Sequence, residues 1–149
     1  MTDHVEQRLE RLGIILPQRS EPAANYSNYV KSDSYLFVSG KGPSGSPKGK
    51  LGQDYSTEAG YHFARSAGIE VLAVIKEALG RLDGVKRVVK IQGFVNATDF
   101  YEEHHLVLNG CSDLMCEVFG EQGIHSRSVM GANSLRGNLP VIIESIFEI

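Results

Sequence analysis

Glu144 is the residue with the clearest chemical standing, because it stands between Ile142 and Ile146 on one face of the otherwise apolar run Val141–Phe147. A carboxylate there is costly unless it is paired, hydrogen-bonded or solvated. It therefore reads either as a structural ion pair or open face, or as a carboxylate at a half-buried site that orients or deprotonates water. The other chemistry-bearing residues read as structural. The five histidines (His4, His62, His104, His105 and His125) include no i,i+4 pair that could chelate zinc from one helix face, so solvated positions and no metal are expected. Gly49-Lys50 lacks the upstream glycine and the following Ser or Thr of a phosphate-binding loop. Cys111 has no cation near it in sequence to favour the thiolate. Cys111 and Cys116, five apart on one helix, cannot bridge, so both are expected to be reduced core residues. Lys86, Arg87 and Lys90 form a basic cluster that strand alternation splits across two faces.

The elements that must position these groups follow from hydrophobic period and turn chemistry. Val5, Leu9 and Leu12 predict a short helix over 3–12 that stops at Gly13. Tyr29–Lys31 and Tyr35–Val38 predict a hairpin around Ser32-Asp33-Ser34, and the Gly- and Pro-rich stretch 42–50 predicts a mobile loop. Ser56 or Thr57 caps a helix that runs to about Leu82, and Val88–Val95 reads as an interior strand. Thr98-Asp99 offers a cap for a second long helix with Val107, Cys111, Leu114, Met115 and Val118 on one stripe, weakened at Asn109-Gly110. Strands over 127–133 and 141–149 end the chain. This order predicts an α+β sandwich: one β-sheet, two long helices on one face, and a short N-terminal helix. It is a single domain over 1–149, with 1–24 as a helix-and-loop appendage.

Composition narrows the function classes. A chain of 149 residues, 42% hydrophobic and 22% charged, buries a core that needs neither a cofactor nor a disulfide staple. Fifteen Lys plus Arg against eighteen Asp plus Glu leave a net charge of −3, which supplies no field for nucleic acid or anionic lipid. No apolar run of about 18 residues is present to cross a membrane, and charged residues occupy the first turns where a signal core would lie, so a cytoplasmic protein is expected.

Several segments in order carry a family resemblance: Tyr35-Leu36-Phe37-Val38-Ser39-Gly40; Gly84-Val85-Lys86-Arg87-Val88-Val89-Lys90 leading into Val95-Asn96 and Asp99-Phe100; Val118-Phe119-Gly120; His125-Ser126-Arg127-Ser128; and Ile143-Glu144-Ser145-Ile146. Together they resemble the RidA (YjgF, or L-PSP endoribonuclease) family over about residues 25–149. The N-terminal helix and the stretch 109–114 resemble a longer subgroup. The resemblance implies a chorismate-mutase-like fold, a homotrimer whose sheets form a central barrel, and small-molecule clefts between subunits. In members acting on 2-imino acids or enamines, an arginine holds the substrate carboxylate in a bidentate pair while a glutamate and backbone groups position the hydrolytic water.

Carried over by the same resemblance, the glutamate falls on Glu144, and the family's tyrosine, strand-end serine and asparagine fall on Tyr26, Ser39 and Asn109. The place of the substrate arginine is taken by Ser134, which has neither the charge nor the fork. Lys41, where glutamine is usual, and Arg136, two residues beyond Ser134, could each supply a cation. Glu144 is thus expected in a concavity with Ser39 and Ser134, with Lys41 or Arg136 pointing in. The protein is read as a deaminase-type hydrolase of a reactive imine, enamine or related metabolite, with small imino acids turned over poorly or not at all because of Ser134. The alternative is a non-catalytic ligand-binding or interaction protein on the same scaffold. A ribonuclease reading comes with the family name alone.

Overall fold

The computed structural model describes residues 4–149. Its elements are α1 (His4–Leu12), β1 (Tyr29–Ser32), β2 (Tyr35–Lys41), α2 (Thr57–Leu79), β3 (Arg87–Asn96), α3 (His104–Phe119), β4 (Ser126–Ala132) and β5 (Val141–Glu148). The expected N-terminal helix is present from His4, while Asp3 lies outside the described residues. No helix is long and apolar enough to cross a membrane among the described residues.

The helix ends follow local chemistry. Ser56 caps α2 by accepting a hydrogen bond from the Ala59 N–H at 3.2 Å. Gly80, at φ 80°, closes α2 in the left-handed conformation, so the helix ends three residues before the expected Leu82, which opens a short 3-10 turn instead. Helix α3 departs further from expectation. Thr98 and Asp99 do not cap it, because the Thr98 N–H donates to the Leu51 carbonyl and the Tyr101 N–H to the Thr98 carbonyl. That turn occupies the chain, and the helix begins at His104.

The five strands form one sheet in the order β1-β2-β5-β3-β4, antiparallel except for the parallel pair β3–β4. A parallel neighbour requires a crossover, and α3 is that crossover. Helices α2 and α3 cover one face of the sheet. Against them are buried Leu36 and Val38 from β2, Ile91 and Val95 from β3, and Val141, Ile143 and Phe147 from β5. The fold is α+β and chorismate-mutase-like, with both long helices on one side of one sheet as the element order requires.

The opposite face carries the alternate residues, and no element among the described residues covers it. There Tyr35 and Phe37 are 40% and 44% exposed, and Met130 is 46% exposed. Phe94, Ile142 and Ile146 share that face by strand alternation.

Candidate functional site

Glu144 lies on the uncovered face of β5, opposite Gln92 of β3. It is exposed, and with Phe37, Lys90, Gln92 and Ile146 it lines a hollow of about 150 Å³ in that face. The register between β2 and β5 explains its setting. Val38 pairs with Ser145 and Lys41 with Ile143, so Ser39 and Gly40 together stand opposite the single residue Glu144. This is a β-bulge, a device that re-aims the side chains beyond it.

The bulge divides the predicted site. Strict alternation would put Lys41 on the same face as Phe37 and Glu144; the extra residue turns it to the helix side, where it is buried at 3% exposure. Its ammonium donates to Asn28 Oδ1 at 2.6 Å, Ser20 Oγ at 2.9 Å and the Ser20 carbonyl at 3.1 Å, which engages all three of its protons. Burial is the largest influence and pulls its pKa below the ordinary lysine value. Lys41 therefore pins the N-terminal segment to β2 and does not reach Glu144 within one chain.

Arg136 lies with Lys41, not with Glu144: the two line a separate cavity of about 270 Å³ beside Ser44 and Glu70. Ser134 is exposed in the loop after β4 and lines neither the Glu144 hollow nor this cavity. The expected concavity uniting Glu144, Ser39, Ser134 and one of the two cations is therefore absent from a single chain. Ser39 does sit beside Glu144 across the strand pair, but its hydroxyl donates to the Ser27 carbonyl at 2.6 Å. Tyr26, one residue from that carbonyl, is 42% exposed, and its hydroxyl accepts from the Ala23 N–H at 3.1 Å.

Asn109 belongs to a cluster that sequence reasoning missed. His105, Asn109 and Ser112 recur at i, i+4 and i+7 on α3, which places them on one stripe. Parallel pairing of β4 with β3 sets Arg127 opposite Ile91, on the helix side of the sheet. There Arg127 donates through Nη1 to Ser112 Oγ at 2.9 Å and through Nη2 to the His105 carbonyl at 3.0 Å. His125 lies 2.6 Å from the Gly123 carbonyl through Nδ1 and 2.9 Å from Ser112 Oγ through Nε2. A carbonyl only accepts, so Nδ1 carries the proton, and in the neutral ring Nε2 accepts from the Ser112 hydroxyl. His125 is thus a half-buried partner of Ser112 rather than a solvated helix position. The guanidinium has five N–H donors, so those two bonds leave it able to take an anion in addition. The segment His125-Ser126-Arg127 was visible as a motif, but nothing in its spacing points to Ser112.

The cysteines differ from each other. Cys111 is buried beside this cluster, and burial pushes its thiol up to about 12 while the Arg127 charge pulls the other way. Cys116 is exposed, contrary to the expectation that both are core residues, and both are free thiols. Among the described residues no three His, Cys, Asp or Glu side chains converge as metal ligands.

One sheet with two long helices on one face is a small α+β fold that many solved structures share. Residues 6–145 match the family described as "YjgF/chorismate_mutase-like, putative endoribonuclease". The chain belongs to that family, the RidA family of the resemblance above. The crystal structure of the protein Atu1372 from Agrobacterium tumefaciens, of unknown function, is 39% identical with a TM-score of 0.91, covering 99% of this chain and 93% of that one. The crystal structure of "a putative endoribonuclease" from Shewanella oneidensis is 33% identical with a TM-score of 0.94, covering 97% of this chain and 99% of that one. Protein TCP17 of Trypanosoma cruzi is 40% identical over 150 residues, covering 97% of this chain and 94% of that protein.

Proposed function

We propose that the protein is a homotrimer that binds a small imine, enamine or related metabolite in clefts between copies and hydrolyses it, releasing ammonia. The observation that carries this reading is the uncovered sheet face, on which aromatic and aliphatic side chains surround the hollow at Glu144. A contiguous apolar face of that kind calls for a partner surface, and in this family a second and a third copy supply it. Glu144 and the Arg127 cluster lie on opposite faces of one sheet, so only a neighbouring copy could bring them to one cleft.

In that cleft Glu144 orients the water that adds to the C=N carbon; ammonia then leaves and a carbonyl product remains. An anionic substrate group needs a guanidinium, which Ser134 cannot supply. Arg127 can, because it is already held by two hydrogen bonds and keeps free donors. Losing such a charge-assisted contact costs about 1.5–3 kcal/mol per bond, or roughly tenfold to a hundredfold in rate.

Light scattering tests the assembly, with an expected mass of three times the 16.3 kDa chain. Activity is tested on 2-iminopropionate generated in place from alanine by an amino-acid oxidase, with the remaining imine trapped by semicarbazide. With Ser134 in the arginine's place, wild-type protein should speed ammonia release from this small imine only weakly, Glu144→Gln should abolish the gain with the trimer intact, and Arg127→Ala should raise KM or lower kcat/KM by the factor above. A monomer in solution would remove the cleft. A trimer that binds the imine without consuming it would make the protein a ligand-binding member of the family instead.

A further inference from the structure

The cavity that takes Lys41 and Arg136 away from Glu144 has charges of its own. It is enclosed by the segment before β1, the loop 42–46, helix α2 and the turn after β4, with a volume of about 270 Å³. That is the scale of a small metabolite rather than a polymer. Its inner wall carries Glu70, which points inward from α2 and is only 6% exposed. One carboxylate oxygen, Oε2, accepts from the Ser44 hydroxyl at 2.5 Å. The other oxygen takes no hydrogen bond, and no Lys, Arg or His forms an ion pair with Glu70 among the described residues. Lys41 lies on the same wall, but its three protons are engaged by Ser20 and Asn28. That oxygen is not sealed from solvent, so a donor that enters the cavity can reach it.

Arg136, in the 3-10 turn Arg136–Asn138, also lines the cavity, with neither a hydrogen bond nor an ion pair from its side chain within the described residues. The Lys41 charge already faces Glu70; a bare cation bound at Glu70 would leave Arg136 without a partner, and a bare anion at Arg136 would leave the open oxygen of Glu70 without a donor. A ligand carrying both charges satisfies both walls.

We propose that this cavity is a binding site for a small zwitterion of the α-amino acid type, with its ammonium group on Glu70 and its carboxylate on Arg136. The Ser44–Glu70 bond fixes the receiving carboxylate, and the backbone N–H of Ser44, donating to Ser66 Oγ at 2.9 Å, holds the loop over α2. The site lies on the helix side of the bulge and is separate from the hollow at Glu144, so its occupancy does not depend on imine hydrolysis.

L-alanine and its two single-charge fragments, ethylammonium without the carboxylate and propionate without the ammonium, test it by calorimetry and amide NMR on the full chain. The expected result is saturable binding of L-alanine, one per chain, at least tenfold tighter than either single-charge probe, with amide shifts at Ser44, Gly45 and Gly137. Glu70→Gln and Arg136→Ala should each weaken it tenfold or more, and Arg136→Lys by less. Should Glu70→Gln fail to fold, the exposed changes Ser44→Ala and Arg136→Ala carry the test without touching the core. The proposal is overturned if L-alanine shows no saturation, if Arg136→Ala binds it as well as wild type, or if the shifts appear at Phe37 and Gln92 instead. The last outcome would move the ligand to the sheet face. Equal affinity for L-alanine and propionate would equally overturn it, because an anion site at Arg136 would then suffice.

Discussion

Replacing Gly110 by alanine separates two accounts of helix α3 by the sign of its effect. Considered as a helix alone, α3 should gain, since alanine is favoured over glycine by about 0.8–1.0 kcal/mol in a helix interior. In the folded chain a Cβ at position 110 would lie 1.9 Å from the Tyr61 carbonyl oxygen, 2.8 Å from the Tyr61 carbonyl carbon and 3.0 Å from the Arg65 nitrogen. All three are backbone atoms of α2, which no rotamer change can move. Ordinary contact begins near 3.4 Å, so the two helices must part by about 1.5 Å at this point. Parting them loosens the seam where Gly68 faces Leu114 and Gly60 faces Val107. Overpacking costs roughly 1–3 kcal/mol where side chains can adjust. A backbone clash belongs at or above the upper end, about 3 kcal/mol net, which for a domain of this size lowers Tm by roughly 6–12 °C. Urea denaturation at one fixed protein concentration measures it, which holds constant any contribution from the proposed assembly. Cys116→Ala, an exposed change on the same helix, is the matched control and should be neutral or slightly stabilising. A Gly110→Ala variant as stable as wild type would show that the helices are not in this close contact. The variant should also disturb Ser112, since it shifts the helix that carries that residue.

Two further outcomes follow from side-chain settings. Under native conditions one thiol per chain should react with a thiol reagent, Cys116, and the second, Cys111, only on unfolding; Cys116→Ser should abolish the native reaction, and two fast thiols would contradict the burial of Cys111. The Tyr61 hydroxyl donates to Asp113 Oδ2 at 2.6 Å, and that bond holds its pKa above the ordinary 10.0. The folded chain then keeps the proton longer than the unfolded chain, so this contribution is complete below pH 10 and is lost as pH rises through the higher folded value. The urea midpoint should fall less steeply above pH 10 in Tyr61→Phe than in wild type, and parallel pH profiles would show that the pair does not couple to folding. Tyr101, raised chiefly by burial, leaves a residual slope of the same sign in both.

Local pattern carried most of the architecture. The three-and-four spacing after Ser56 marks α2, the β-branched run before Asn96 marks β3, and the apolar run Val141–Phe147 marks β5, while which side of the sheet Glu144 faces stayed open. These are periodicities of a single element, and burial on one side enforces them whatever the neighbours are.

Pairing between elements decided the rest. The residue count of β2 alone does not reveal that Ser39 and Gly40 share one partner, yet that bulge moves Lys41 from the Glu144 face to the opposite one and creates the cavity at Glu70. Register between β3 and β4, set through a crossover, brings Arg127 and His125 to Ser112 from positions 15 and 13 residues away. Asn109-Gly110 looked like a weak point in a helix, and becomes intelligible only when Tyr61 of α2 is seen against it. The start of α3 likewise depended on tertiary pairing: Leu51, far back in the chain, accepts from the Thr98 N–H, and a turn from Thr98 to Tyr101 precedes the helix. Hydrophobic period records which side of an element is buried. It holds no information on which residue of another element stands opposite, and in this protein the candidate sites are assembled from such oppositions.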